Sequence, residues 1–237
     1  MAESRKASQA VGRPQVIPMG ISRWLLVGLG VAVVGVTVAY AMTEPLLSRG
    51  DGVVLVGDSL AVGLGEMAAY QGQSALKAEL QRHEVSLQTL GKGATTSLQW
   101  SGTGHLNTGR LQPALRRRPR AVLVVLGTND CHYDFGHCPP FRERILAIAQ
   151  SIADAGAVPV LVAMPEMPWE QEHAGRARMQ SARSAMKRAA RESGGIYVEA
   201  PGMPIKRWPD QLHPDPEGNR VWAAYIMSVL GRARRWK

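Results

Sequence analysis

Five short apolar runs, spaced widely enough for a helix between each pair, narrow the folds open to this chain more than any other feature. They are Val53–Val56, Val85–Leu90, Ala121–Leu126, Val158–Met164 and Ile196–Val198. The third, AVLVVL, holds no polar residue at all. A strand with one wet face alternates apolar and polar residues, whereas an unbroken apolar strand is covered on both faces, as in a parallel sheet. The intervening segments carry helical spacing. One long helix is expected over Ala61–Arg82, interrupted near Gly72, and others over Phe141–Ala155, Glu172–Glu192 and Pro216–Leu230. Ile145, Ile148 and Ile152 fall on one face of the second of these, and Pro216 suits a helix start. Strand and helix in alternation imply βαβ units, and hence an α/β class chain: a three-layer α/β/α sandwich around a five-stranded parallel sheet. Ligands of such sheets gather at the carboxyl ends of the strands.

A different kind of segment precedes this pattern. Trp24–Met42 carries no charge, and Thr37 is its only conventional polar residue. At ~1.5 Å per residue a helix over this run is about long enough for a ~30 Å hydrocarbon core. Trp24 and Tyr40 stand near its ends, where aromatic rings favour the interface. A cleaved signal peptide and a buried core helix are the alternatives, and Ala39-Tyr40-Ala41 resembles a cleavage site. The length of the run favours an uncleaved anchor, since signal-peptide cores usually run only ~7–15 residues. Arg5, Lys6, Arg13 and Arg23 lie on the N-terminal side, which keeps that side cytoplasmic and exports the rest. The expected organisation is therefore a basic tail (1–23), a transmembrane anchor (24–42), a linker (43–51) and an exported domain (52–237).

The formal net charge is +9 and the sequence pI about 10.1, with much of the excess at the two ends. Such a balance suits anionic surroundings, lipid head groups or acidic polysaccharide among them. Nucleic acid is disfavoured as a partner because only 5% of residues are aromatic, too few for a basic face interleaved with stacking rings.

Four polar signatures fall at strand ends or before the last helix. Gly57-Asp58-Ser59-Leu60 follows the first apolar run, where a turn into a helix can present a serine hydroxyl. Taken alone it reads equally well as a helix cap, which Asp and Ser both form. Asp210-Gln211-Leu212-His213-Pro214 precedes the final helix. A serine hydroxyl needs a base near neutral pH, histidine supplies one, and an acid three residues earlier can orient the ring. Gly91-Lys92-Gly93-Ala94-Thr95-Thr96 offers close backbone approach, and Gly127-Thr128-Asn129-Asp130 offers an amide donor. Each of the last two can also be a plain strand-to-helix turn.

In this order and at these spacings the four signatures resemble the four blocks of the SGNH/GDSL hydrolase family. The resemblance spans Val53–Val229 and extends to Pro214, Gly218 and Ala223 in the last block. It implies that Ser59 is the nucleophile, His213 its base and Asp210 the residue that orients the base. It implies an oxyanion hole from the Ser59 N–H, the Gly93 N–H and the Asn129 amide, with no metal and no cofactor. The second block departs from the family's Gly-x-Ser-Gly, reading Gly-Lys-Gly, so Gly91 stays open beside Gly93. Lys92 either attracts an anionic substrate or points into solvent. The implied reaction is hydrolysis of an acyl or acetyl ester through an acyl-enzyme at the exported face of the membrane. The substrate would be a small acyl ester, a lipid ester or an acetylated envelope glycan. An O-acyltransferase using the same site and a catalytically idle envelope scaffold are the rival readings, the second opposed by the complete set of site residues.

Cys131 and Cys138 are the only cysteines. In an exported domain the pair reads as a disulfide that stiffens the loop carrying Asn129, with a zinc site from Cys131, His132, His137 and Cys138 as the alternative. His83, His105 and His173 sit in polar contexts and read as surface residues. Pro165–Ala174, with Trp169 and two nearby methionines, either lines an acyl or sugar pocket or packs a loop onto the domain.

Overall fold

The computed structural model describes residues 46–66, 74–133 and 139–233. Five strands form one parallel sheet: β1 (Gly52–Gly57), β2 (Ser86–Thr89), β3 (Ala121–Val125), β4 (Val158–Val162) and β5 (Ile196–Val198), in the order β2-β1-β3-β4-β5. The register sets Val53 opposite Ala121 and Gly57 opposite Val125. Every residue of β3 is buried, which is why its sequence is apolar throughout. β2 is an edge strand with partly exposed side chains, and its sequence, SLQT, is correspondingly mixed.

The helices are α1 (Ser59–Gly65), α2 (Ala75–Arg82), α3 (Ser97–Trp100), α4 (Gln112–Leu115), α5 (Thr128–Tyr133), α6 (Pro139–Asp154), α7 (His173–Glu192) and α8 (Pro216–Arg232). One group, α1, α2 and α8, packs together, while α6 packs with α7 and α3. Right-handed crossovers place the connection from β1 to β2 on one face of the sheet and those from β2 to β3, β3 to β4 and β4 to β5 on the other. The result is the expected layered α/β architecture. Its core is continuous from Leu46 through the sheet to Trp222 and Ile226.

Two details go beyond the sequence pattern. The helix expected over Ala61–Arg82 with an interruption near Gly72 is two helices, with residues 67–73 outside the described set, and the early stop of the first was not expected. α1 stops after Gly65, where a Cβ would come within 2.4 Å of the Thr89 hydroxyl and 2.8 Å of a Leu55 methyl. The short helices between β2 and β3 were not expected either. A turn or two, with a π-helical stretch at Asn107–Leu111, leaves no sustained periodicity to read.

Residues 1–45 lie outside the described set, and the expected tail, the expected anchor and the first three residues of the expected linker lie with them. Among the described residues no helix is long and apolar enough to cross a membrane.

Candidate active site

The chain runs from β1 outward to β2 and then crosses back to β3, so β1 and β3 are the neighbours at which the strand order reverses. Crevices for ligands open at such points, beyond the carboxyl ends of the strands. Ser59 follows β1 there, and Asn129 follows β3.

Gly57 makes the turn possible. Its φ is +154°, and a Cβ on it would lie 2.0 Å from the Val125 carbonyl oxygen of the neighbouring strand. Only glycine lets β1 run so close to β3 before the chain turns. Asp58 then caps α1, its Oδ1 accepting the Leu60 N–H at 2.9 Å. Its Oδ2 is buried without a partner among the described residues. Burial pushes the Asp58 carboxyl up to about 7, with the nearby Asp130 carboxylate adding to the rise. The cap reading and the catalytic reading of this turn are thus both realised, by different residues. Asp58 caps, and Ser59, half-buried, carries the hydroxyl.

His213 meets that hydroxyl from the other end of the sequence. Its Nε2 lies 2.8 Å from Ser59 Oγ, and its Nδ1 lies 2.8 Å from Asp210 Oδ2. Asp210 Oδ1 accepts the N–H groups of Leu212 and His213 at 2.9 and 3.0 Å. The hydrogen bond from His213, helped by these backbone donors, holds the Asp210 carboxyl down to about 2. Asp210 is therefore an anion at neutral pH, although its side chain is half exposed.

The loop carrying the pair is tied at both ends. The Trp208 N–H donates to the His213 carbonyl at 2.9 Å, and the Asp215 N–H to the Lys206 carbonyl at 3.0 Å. Asp215 caps α8 by accepting the Gly218 N–H at 2.8 Å, and Asn219 Nδ2 donates to the Pro214 carbonyl at 3.1 Å. Gly218 is required because a Cβ there would sit 2.0 Å from the Lys206 carbonyl oxygen.

The remaining residues converge on the same edge. A Cβ built on Gly93 would come 3.9 Å from the Ser59 Cβ, so this exposed backbone stands beside the hydroxyl. Gly91 is buried against α1, where a Cβ would meet the Val62 N at 3.0 Å. Of the two glycines, Gly93 is the one next to Ser59. Asn129 is buried, and its Nδ2 donates to the Thr95 carbonyl at 2.8 Å. Among the described residues its second N–H makes no hydrogen bond, leaving it available to a ligand. Lys92 is exposed.

Sequence reasoning gave no role to the groups that hold Asn129 and the Gly93 loop together. Asp130 accepts the Ser97 N–H on both carboxylate oxygens at 3.1 Å and the Ser97 hydroxyl at 2.6 Å. Thr95 Oγ1 donates to the Lys92 carbonyl at 2.7 Å and accepts from Trp100 Nε1 at 3.1 Å. The run Thr95-Thr96-Ser97 was the available signal, since clustered hydroxyls before a helix are capping residues.

Cys131 is buried on α5, and its expected partner Cys138 lies outside the described residues, as does His137 of the zinc alternative. His83, His105 and His173 are exposed. Trp169 packs edge-on against His132, ring centroids 5.1 Å apart, while Met167 and Pro168 line a cavity. The segment thus packs against the domain through Trp169 and borders a cavity through Met167 and Pro168.

This arrangement is one in which a hydroxyl can be deprotonated by an imidazole whose far side faces a fixed anion. No curated protein matches the chain. Among solved structures, an α/β hydrolase from the metagenome of Lake Arreo, Spain, shares 19% identity at a TM-score of 0.63, covering 79% of this chain and 98% of its own. The psychrotrophic esterase EstA from Pseudoalteromonas sp., inhibited by monoethylphosphonate, shares 18% at 0.59, covering 75% and 95%. The acetylxylan esterase Axe2 from Geobacillus stearothermophilus shares 14% at 0.60, covering 78% and 96%. Two further Axe2 structures are of catalytic mutants, one at a histidine and one at an aspartate three positions before it. These likenesses establish the fold. The family model of GDSL-like lipases and acylhydrolases matches residues 55–221, and the chain belongs to that family as a hydrolase of the SGNH type.

Proposed function

We propose that the chain hydrolyses acyl or acetyl esters, with Ser59 as nucleophile, His213 as general base and acid, and Asp210 as the orienting anion. The observation that carries this reading is the pair of 2.8 Å contacts on the two nitrogens of His213, one to Ser59 Oγ and one to Asp210 Oδ2. The Asp210 anion fixes which nitrogen holds the proton and stabilises the imidazolium when it forms. The same residue types, in the same spacing, are the sites of the Axe2 catalytic mutants.

Ser59 Oγ attacks the ester carbonyl carbon as its proton passes to His213 Nε2. The oxygen of the tetrahedral intermediate takes hydrogen bonds from the Ser59 N–H, the Gly93 N–H and the uncommitted N–H of Asn129. Donors fixed in advance at the position where charge develops are the largest single source of rate enhancement in such sites. The C–O bond breaks and the alcohol leaves with the proton from His213. Water, activated by the same imidazole, then releases the acid and restores Ser59. An alcohol in place of that water would make the chain an O-acyltransferase.

The substrate class that best fits is a small acyl ester or an acetylated envelope glycan, a reading supported by the acetylxylan esterase among the structural neighbours. The apolar run 24–42 and its basic flank support an anchored, exported enzyme, in which Cys131 and Cys138 would pair as a disulfide. Hydrolysis of p-nitrophenyl acetate and labelling by a fluorophosphonate probe test the assignment. Both are expected in the wild type and neither in Ser59→Ala. Labelling that persists in Ser59→Ala refutes the nucleophile, and acyl transfer to an added glycan in excess of hydrolysis identifies a transferase.

A further inference from the structure

Beside the His213 loop lies a cavity of about 710 Å³, between the segments that follow β4 and β5. Its charged lining is Arg176, Arg183 and Arg207 with Glu166 and Glu170, and Gln211 forms part of its wall. None of these residues enters the chemistry described above.

The charges are not evenly matched. Glu170 is buried and fully engaged. Arg183 grips it with both terminal nitrogens at 2.5 and 2.7 Å, and its Oε1 also accepts the Met167 N–H at 2.7 Å. Arg207, half-buried, donates only to backbone carbonyls, those of Ile205 and Glu166, and touches the Met167 sulfur. Its Nε is buried without a partner among the described residues. Burial lowers the pKa of this guanidinium, as befits a cation withdrawn from water without a hydrogen-bonded carboxylate. Arg176 uses its Nε on the Glu170 carbonyl at 3.1 Å and has no ion pair among the described residues. The Glu166 side chain is exposed at the rim, where water screens it. Arg176 and Arg207 thus lack a side-chain ion pair inside a concave wall, with only the rim Glu166 against them, and arginine forks match the geometry of an oxyanion.

Position says which part of a substrate would meet them. The leaving alcohol must lie at His213 Nε2, which protonates it. Gln211 is two residues from His213, a span of at most ~7 Å of extended chain. The cavity therefore adjoins the loop that carries the base. Three arginines against two glutamates leave a net charge of one, which matches a carboxylate better than a doubly charged phosphate monoester.

We infer that this cavity is a subsite for a carboxylate on the alcohol part of the ester, so that the preferred substrates are esters of acidic, uronate-bearing saccharides. The inference rests on the ester hydrolase reading but is tested by binding rather than turnover.

The full chain bearing Ser59→Ala is titrated calorimetrically with a galacturonic acid trimer, with neutral xylotriose and with glycerol 3-phosphate. The expected result is a Kd for the acidic trimer at least tenfold below that for xylotriose, with the difference shrinking at high salt. Adding Arg176→Gln should remove most of that preference while leaving the far-UV circular dichroism spectrum unchanged. Equal affinity for the acidic and neutral trimers overturns the inference, as does tighter binding of glycerol 3-phosphate. A preference that survives in both Arg176→Gln and Arg176→Glu also overturns it. Hydrolysis of p-nitrophenyl acetate reports separately on the Ser59 assignment, so loss of one reading is distinguishable from loss of the other.

Discussion

Replacing Asp58 by asparagine should stabilise this protein at alkaline pH and do little at acid pH. The carboxyl is fully buried, its Oδ1 is spent on the Leu60 N–H, and its Oδ2 has no partner among the described residues. Burial raises its pKa from 3.8 to about 7, with Asp130 contributing repulsion. The sign follows from which state holds the proton more tightly. The folded state does, so folding is favoured below the unfolded value, and that advantage is lost as pH rises from 3.8 to about 7. Above pH 7 the folded chain carries a buried anion it would rather not hold. Asparagine caps helices as well as aspartate and places a neutral donor where the acid carries its proton. At 1.36 kcal/mol per unit of pKa, the stability gained by Asp58→Asn should differ by roughly 3–4 kcal/mol between pH 4 and pH 8. Urea unfolding of both proteins at the two pH values measures this, since titrating groups that do not interact with Asp58 cancel in the difference. The reasoning fails if the gain is the same at pH 4 and pH 8, or if the mutant is less stable at pH 8.

The other consequences concern the site and its supports. Asn129→Ala should lower kcat by about 10²–10³ with little change in KM, because its free N–H is used only when the oxyanion forms; steady-state kinetics on p-nitrophenyl acetate decide. His213→Ala should cost kcat at least about 10²-fold and Asp210→Asn less, since general-base removal strikes the proton transfer itself while the half-exposed Asp210 only orients it. Equal losses in the two variants would contradict the assigned roles. Glu170→Gln leaves Arg183 without its anion in a largely buried setting and should cost roughly 3 kcal/mol in chemical denaturation.

What the sequence revealed depended on how far each signal reached. β3 was legible because AVLVVL is short, rich in valine and apolar throughout, as a strand covered on both sides is, whereas β2 was faint because an edge strand keeps polar residues. Ser59, Asn129 and His213 were legible because each sits in a turn whose neighbours are glycine, aspartate or proline for local reasons. The choice between Gly91 and Gly93 was not, because it rests on which of them meets the buried side of α1. Long-range supports left no trace at all. Nothing near Ser97 announces Asp130, and nothing near Glu170 announces Arg183, thirteen residues on. The arginine-lined cavity was hidden for the same reason, since its walls come from three separate segments.

Ser59 and His213 lie 154 residues apart in the chain, and the bond between them needs β1 seated against β3 and the loop pinned to the start of α8. Contacts of such separation form late, after the loop-closure entropy has been met by the rest of the fold. Esterase activity should therefore be the last property regained on refolding, lagging secondary structure. It should also be the first lost on heating, when any shift of the partly exposed loop that carries Asp210 and His213 parts the base from the serine. An enzyme wired in this way reports on its own integrity: a nascent or partly opened chain carries its serine already in the turn, yet silent.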